Sequence, residues 1–198
     1  MESNVKTPTV RVMAAADEDQ AVATIVMAFA ADPMARWTWP HAHVYLAAMP
    51  RMARAFGGKA FSNGSAFCTD GYVGTALWLP SGVHPDEKAL SAVLESTVAS
   101  SLSAESAAIF EQMATYHPTE PHWYLPLIGV DPAHQGKGHG DALMVHALRR
   151  CDRDRVPAYL ESTNPRNISL YLRHGFEALG TIQVASSPTL VPMLRRPR

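Results

Sequence analysis

The chain has 198 residues, 47% hydrophobic and 18% charged, with 17 basic and 18 acidic side chains and a formal net charge of −1. That length suits one domain with a sizeable core, and the near-neutral balance offers no basic field for nucleic acid or a membrane surface. Cys68 and Cys151 lie too far apart for a disulfide framework and read as buried free thiols. No apolar run approaches the roughly 18 residues of a membrane span, and the first ten residues carry no apolar signal core. The expectation is a soluble, cytoplasmic protein, a monomer or homodimer.

Residues 1–7 are polar and expected to fray. Thr9 to Met13 alternates like a half-buried strand. Asp17, Glu18 and Asp19 put acids in the first turn of a helix whose apolar positions run from Ala21 to Ala30, and Asp32-Pro33 is read as its stop. Residues 34–43 form a Trp- and His-rich connection. A second helix spans Val44 to Phe56, with Pro50 expected to kink it. Strands are expected at Ala60–Cys68 and Tyr72–Leu79, joined by a turn at Thr69-Asp70-Gly71. Residues 85–115 read as two helices, and Tyr116 to Pro121 breaks the pattern. A buried strand, Leu125 to Val130, then leads through Asp131-Pro132 and a glycine-rich turn into an amphipathic helix beginning near Asp141. Val156 to Leu160 is a strand, a short helix runs from Pro165 to Tyr171 and ends at Gly175, and Phe176–Val184 with Thr189–Leu194 read as a last antiparallel pair. The pattern predicts a mixed, mostly antiparallel α/β sheet with one parallel crossover over residues 123–160.

The chemistry concentrates at Gln135-Gly136-Lys137-Gly138-His139-Gly140-Asp141. Glycines let backbone N–H groups converge, and the helix N-terminus adds its positive dipole end, so strand, turn and helix together suit a pyrophosphate. A P-loop is excluded because Gly138, not a hydroxyl residue, follows Lys137. A dinucleotide fingerprint fits Gly136 and Gly138 but meets Asp141 at its last position, and its spacer Asp131–Gln135 is too long. A ligand-free glycine turn stays open. The nine histidines show no metal-ligand spacing, so no metal is expected.

Val130-Asp131-Pro132 followed by Gln135-Gly136-Lys137-Gly138-His139-Gly140 resembles the [Q/R]-x-x-G-x-[G/A] motif of the GCN5-related N-acetyltransferases (GNAT). The run Asn164 to Phe176 is similar to that family's N-x-x-A-x-x-L-Y-x-x-x-G-F, with Asn167 where a small residue is usual. Within the family the chain is most similar to puromycin N-acetyltransferase-like members, through Pro8–Arg11, Ala28–Pro33, His134–Gly138 and Val156–Glu161. The resemblance implies a single acetyltransferase domain over residues 1–198, with an acyl-CoA N-acyltransferase fold, splayed central strands and flanking helices. It implies acetyl-CoA as cofactor and direct acetyl transfer to the primary amine of a small molecule, with an aminonucleoside or other xenobiotic amine as the expected acceptor. A protein or peptide acceptor, or a non-catalytic CoA sensor, are the alternatives.

On this reading the N–H groups from Gly136 to Asp141 hold the pyrophosphate, with Gln135 beside them, and Lys137 adds charge or is simply solvated. The resemblance implies main-chain contacts to the cofactor from Ile128, Gly129 and Val130. Gly129 marks either a bulge or a close backbone approach. Tyr171 is the expected general acid, since a phenol of pKa about 10 can protonate a departing thiolate of about 8.5. Asn164 is expected to hydrogen-bond the pantetheine. Glu161 is the candidate base or else a structural carboxylate, with Glu120, His122 and Tyr124 as rivals. Phe29, Asp32, Trp37, Trp39, His41 and Tyr45, joined by His122, are the expected acceptor site, because aromatics with one acid suit a cationic amine.

Overall fold

The computed structural model describes residues 7–198, so the expectation for residues 1–6 lies outside the described residues. The strands are β1 (Val10–Val12), β2 (Ala66–Thr69), β3 (Gly74–Leu79), β4 (Trp123–Val130), β5 (Ala158–Ser162), β6 (Glu177–Ala178) and β7 (Val191–Arg195). The helices are α1 (Glu18–Ala28), α2 (Pro33–Thr38), α3 (Ala42–Gly57), α4 (Lys59–Ser62), α5 (Glu87–Thr97), α6 (Ser103–Tyr116), α7 (His139–Asp154) and α8 (Ile168–Arg173). Among the described residues the strands form one seven-stranded sheet in the order β1-β2-β3-β4-β5-β7-β6. Neighbours are antiparallel except β4 and β5.

Alternation along the strands divides the core between two faces. Cys68, Leu77, Leu79, Tyr124 and Tyr159 face a cluster built with Ile25 of α1 and Ala48, Met49 and Ala53 of α3. Phe67, Ala76, Trp78, Trp123 and Leu160 face the opposite way, against Leu143, Met144, Ala147 and Leu148 of α7. The α7 positions recur with helical spacing, which is why this helix lies flat on the sheet.

One irregularity in β4 controls the rest. Leu77 of β3 faces Leu127, yet Leu79 faces Tyr124, so β4 carries one extra residue at Leu125-Pro126. An inserted residue switches which face the following side chains occupy. Accordingly Trp123 and Leu125 face α7, whereas Leu127 faces α1 and α3. At the same point β4 parts from β5, because their parallel pairing is confined to Trp123–Ala158 and Tyr124–Tyr159. Pro126 has no N–H to offer a neighbouring strand, so the break costs one donor fewer.

Several expectations need correction. Asp32-Pro33 does not merely stop α1; Asp32 caps α2 by accepting from Ala35 N–H at 3.0 Å, and Pro33 occupies the first helical position. The expected connection 34–43 is therefore largely helical. The expected strand from Ala60 begins instead with α4, and β2 starts only at Ala66. The second helix is found as expected, α3 running from Ala42 to Gly57 with Pro50 inside it. In the last pair, β6 has two residues, and a single bridge joins Ile182 to Leu190.

The bulge lies at Pro126, not at Gly129. Gly129 answers to the other reading of a strand glycine, close approach: a Cβ there would lie 2.5 Å from Ala28 Cβ and 3.3 Å from Ile25 Cδ1. This contact seats α1 directly on β4. Gly129→Ala should destabilise the protein by about 1–3 kcal/mol, the usual range for overpacking. Chemical denaturation checks this, and an unchanged midpoint would show that α1 does not depend on the contact.

Candidate active site

Asp131 N–H donates to Val73 carbonyl at 2.8 Å, which sets the phase of the β3–β4 ladder. Leu127 and Gly129 consequently spend their backbone groups on β3, while Ile128 and Val130 direct theirs toward the gap opened beside β5. Gln135 takes up one of these, donating from Nε2 to Val130 carbonyl at 3.2 Å. The Ile128 amide faces the gap, and a ligand with amides of its own could pair with it as an added strand would.

A cavity of about 840 Å³ opens over this gap, lined by Ile128, Gly129 and Val130, by the glycine turn and by Asn164 and Tyr171. The turn is shaped by Gly136 and Gly138, with φ of +74° and +84°, in the left-handed region that glycine enters without strain. Asp131 tightens the approach by accepting from Ala133 N–H at 2.9 Å. The first N–H groups of α7, from His139 to Asp141, have no acceptor within the helix and open on the cavity.

The side chains of this turn are largely held by protein. Lys137 Nζ donates to Ala133 carbonyl at 3.1 Å, His139 Nδ1 lies 3.0 Å from Thr69 Oγ1, and Asp141 Oδ1 lies 2.9 Å from His174 Nε2. Burial lowers the pKa of His139, so it favours the neutral imidazole. Backbone donors are thus left as the anion-facing groups. Arg166 and Arg173 add positive charge to the lining. Sequence reasoning missed both, although each flanks or lies in the short helical segment that carries Tyr171.

Tyr171 is buried against Phe176, with ring centroids 6.0 Å apart, and burial raises its phenol further above the ordinary value. It therefore stays protonated at neutral pH. Asn164 lines the same cavity, and its Oδ1 accepts from Arg166 N–H at 3.1 Å, starting the turn that leads into α8.

A second, smaller cavity of about 110 Å³ lies on the α1–α3 face. Phe29, Asp32, Trp37 and Trp39 line it, together with Met52 and Phe110, which sequence reasoning did not single out. Methionines of α3 and α6 carry no local mark of a pocket; only the packing of distant helices brings them together. Phe29 and Asp32 line both cavities and mark where they meet. Asp32 is 5% exposed, and its second oxygen accepts from Thr163 hydroxyl at 2.8 Å. Burial raises its pKa, partly offset by the hydrogen bonds from Ala35 and Thr163.

Other expected site residues lie apart. Tyr45 is buried in the core, its hydroxyl donating to Val26 carbonyl at 2.5 Å, and it lines neither cavity. His41 precedes α3 and stacks on His43. His122 stands over His117 and Tyr159, its Nδ1 2.8 Å from Glu120 carbonyl. Glu161 also lines neither cavity. Its Oε2 accepts from Tyr124 hydroxyl at 2.8 Å, and its Oε1 lies 3.8 Å from His117 Nδ1.

The chain belongs to the acetyltransferase (GNAT) family: that family's profile matches residues 72–176, from the end of the β2–β3 turn through Phe176. Members of the family use acetyl-CoA. Over nearly its full length the chain is similar to a structure named histone acetyltransferase HPA2 and related acetyltransferase, from Corynebacterium glutamicum. The two are 26% identical, with a TM-score of 0.69 and 97% of each chain covered. Arylalkylamine N-acetyltransferase 2 from Aedes aegypti shares the fold, with a TM-score of 0.66 at 13% identity, over 96% of this chain and 99% of that one. Among sequences, a mycothiol acetyltransferase of Kineococcus radiotolerans is 43% identical over 67 residues. An uncharacterized N-acetyltransferase of Schizosaccharomyces pombe is 35% identical over 78 residues. These stretches cover 32% and 38% of this chain, but only 22% and 32% of the relatives' own length.

Gly138→Ala places a Cβ at a positive φ, at a strain of about 1–2 kcal/mol. Acetyl-CoA should then bind about tenfold more weakly by titration calorimetry; unchanged affinity would remove the glycine turn from the binding site.

Proposed function

We propose that this protein is a cytoplasmic enzyme that transfers the acetyl group of acetyl-CoA directly to the primary amine of a small molecule. The observation that carries this reading is the meeting of the two cavities at Phe29 and Asp32, with Tyr171 on the wall of the larger one. The larger cavity suits a long anionic thioester: backbone donors at the glycine turn, two arginines in the lining, an unpaired strand edge, and a buried phenol on its wall. Acetyl-CoA supplies an activated thioester carbonyl and a thiolate leaving group.

The chain's own residues then do the following. The α7 N-terminus and the glycine turn anchor the pyrophosphate, and Arg166 and Arg173 add positive charge to the cavity that receives the anionic cofactor. Ile128 pairs its backbone with the arm and fixes the thioester along the gap. Tyr171 donates its hydroxyl proton to the departing sulfur, a step that needs the phenol neutral, as its burial ensures. Glu161 lies outside both linings, and its role is to hold Tyr124 in place through their hydrogen bond. Cys68 and Cys151 are both buried and line neither cavity, so neither is placed to carry an acyl group, and burial raises both thiols; transfer on this reading is direct.

The acceptor is a small molecule because the smaller cavity has room for one ring or a short chain. An aminonucleoside of the puromycin type, whose amine sits beside a single aromatic ring, belongs among the acceptors to test. A protein acceptor is the second reading, favoured by the name of the Corynebacterium relative.

Thiol release from acetyl-CoA, measured across amines, puromycin and a basic peptide, tests the proposal. Turnover of at least one small amine is expected, with Tyr171→Phe lowering kcat about 100-fold and leaving acetyl-CoA affinity near wild type. Tight acetyl-CoA binding without turnover of any acceptor would replace the enzyme with a CoA sensor, and turnover of the peptide alone would move the acceptor to protein.

A further inference from the structure

Resting on the acetyltransferase reading, we infer that Asp32 both holds the acceptor's ammonium and takes its proton, and that the acceptor is a monoamine with an apolar body. The argument starts from position. Asp32 stands where the two cavities meet, between the groove that would carry the acetyl group and the pocket that would carry the amine. Among the described residues lining the smaller cavity, it alone carries a charge. Beyond it the walls are Trp39, Met49, Met52, Ile109 and Phe110, together with Leu190.

Such a pocket reads one charge and no more. An ammonium entering it finds a carboxylate at the mouth and aromatic faces beside it. A second ammonium on the same molecule would have to lie among apolar side chains without a partner, which is strongly unfavourable. The pocket therefore selects against diamines and polyamines.

Asp32 is also built to keep its place. One oxygen accepts from Ala35 N–H and the other from Thr163 hydroxyl, which fixes the carboxylate while leaving lone pairs unused. Its burial favours the protonated form more than an exposed aspartate would, which suits a group that must accept a proton.

The protons balance as follows. Asp32 takes one proton from the ammonium and leaves a neutral amine. The amine nitrogen forms its bond to the acetyl carbon as the carbon–sulfur bond breaks. Sulfur leaves with the bonding pair and takes the Tyr171 hydroxyl proton. The second proton, lost from nitrogen as the amide forms, restores the Tyr171 phenol. Asp32 releases its proton to solvent once the product leaves.

The test compares hexylamine with 1,6-diaminohexane, which differ by one terminal ammonium, and adds 2-phenylethylamine, spermidine and agmatine. Each is assayed by thiol release with wild type and Asp32→Asn, and acetyl-CoA binding is measured in parallel. Asparagine still caps α2, so the variant keeps its fold. Hexylamine and 2-phenylethylamine should exceed the di- and polyamines in kcat/KM by about 100-fold or more. Asp32→Asn should lower kcat/KM for the monoamines about 100-fold, with acetyl-CoA affinity changed less than about threefold. Diamines or polyamines turned over as well as hexylamine would overturn the specificity while leaving the acetyltransferase reading intact. Full activity in Asp32→Asn would overturn the role of that carboxylate. Bound acetyl-CoA with no amine acetylated would sink the acetyltransferase reading, and this inference with it.

Discussion

The structure depends on a pairing that stops. β4 and β5 run parallel for two residue pairs and then separate, at the point where β4 takes in one extra residue beside Pro126. A strand edge opened inside a sheet leaves backbone groups without partners, and buried partnerless groups are unfavourable. Here the open edge lies along a cavity, where its backbone groups are free to pair with a ligand on the proposed reading. The same extra residue turns Leu127 toward α1 and α3, onto the wall of the smaller cavity. One irregularity thus prepares both pockets.

Around that opening the elements divide the labour. α7 brings the positive end of its dipole and the glycine turn to the carboxyl end of β4, where ligands of parallel strands bind. α1, pressed against Gly129, delivers the loop of Phe29 and Asp32 to the junction of the cavities. The turn after β5 contributes Thr163, which holds Asp32, and leads into α8, which carries Tyr171. Tyr171 packs on the α7 face of the sheet, whereas the smaller cavity lies on the other face. Acetyl transfer on the proposed reading therefore passes through the gap between the strands.

The parts of this design that are local in sequence were legible there. The glycine turn, the crossover, the helix ending at Gly175 and the mostly antiparallel sheet follow from patterns within a few residues of one another. What misled was residues that serve two purposes. Asp32-Pro33 is as good a helix start as a helix stop, and it is a start. Gly129 signals either a bulge or a tight contact, and it makes the contact while Pro126 takes the bulge. Glu161 shares the sheet face of Tyr159 by strand alternation and meets Tyr124 rather than the cavities. The smaller cavity was half legible: its aromatics and its acid stand out in the chain, but the methionines and α6 residues that close it come from helices whose docking no local pattern specifies.

The most direct test of the open edge is residue-resolved amide hydrogen exchange with and without acetyl-CoA. Gly129 N–H, paired with β3, should be protected in both states. Ile128 N–H, facing the gap, should exchange faster in the free protein and slow markedly at saturating acetyl-CoA. An Ile128 amide already as protected as Gly129 without ligand, or unchanged on binding, would contradict the claim that the parted strands seat the acetyl-bearing arm.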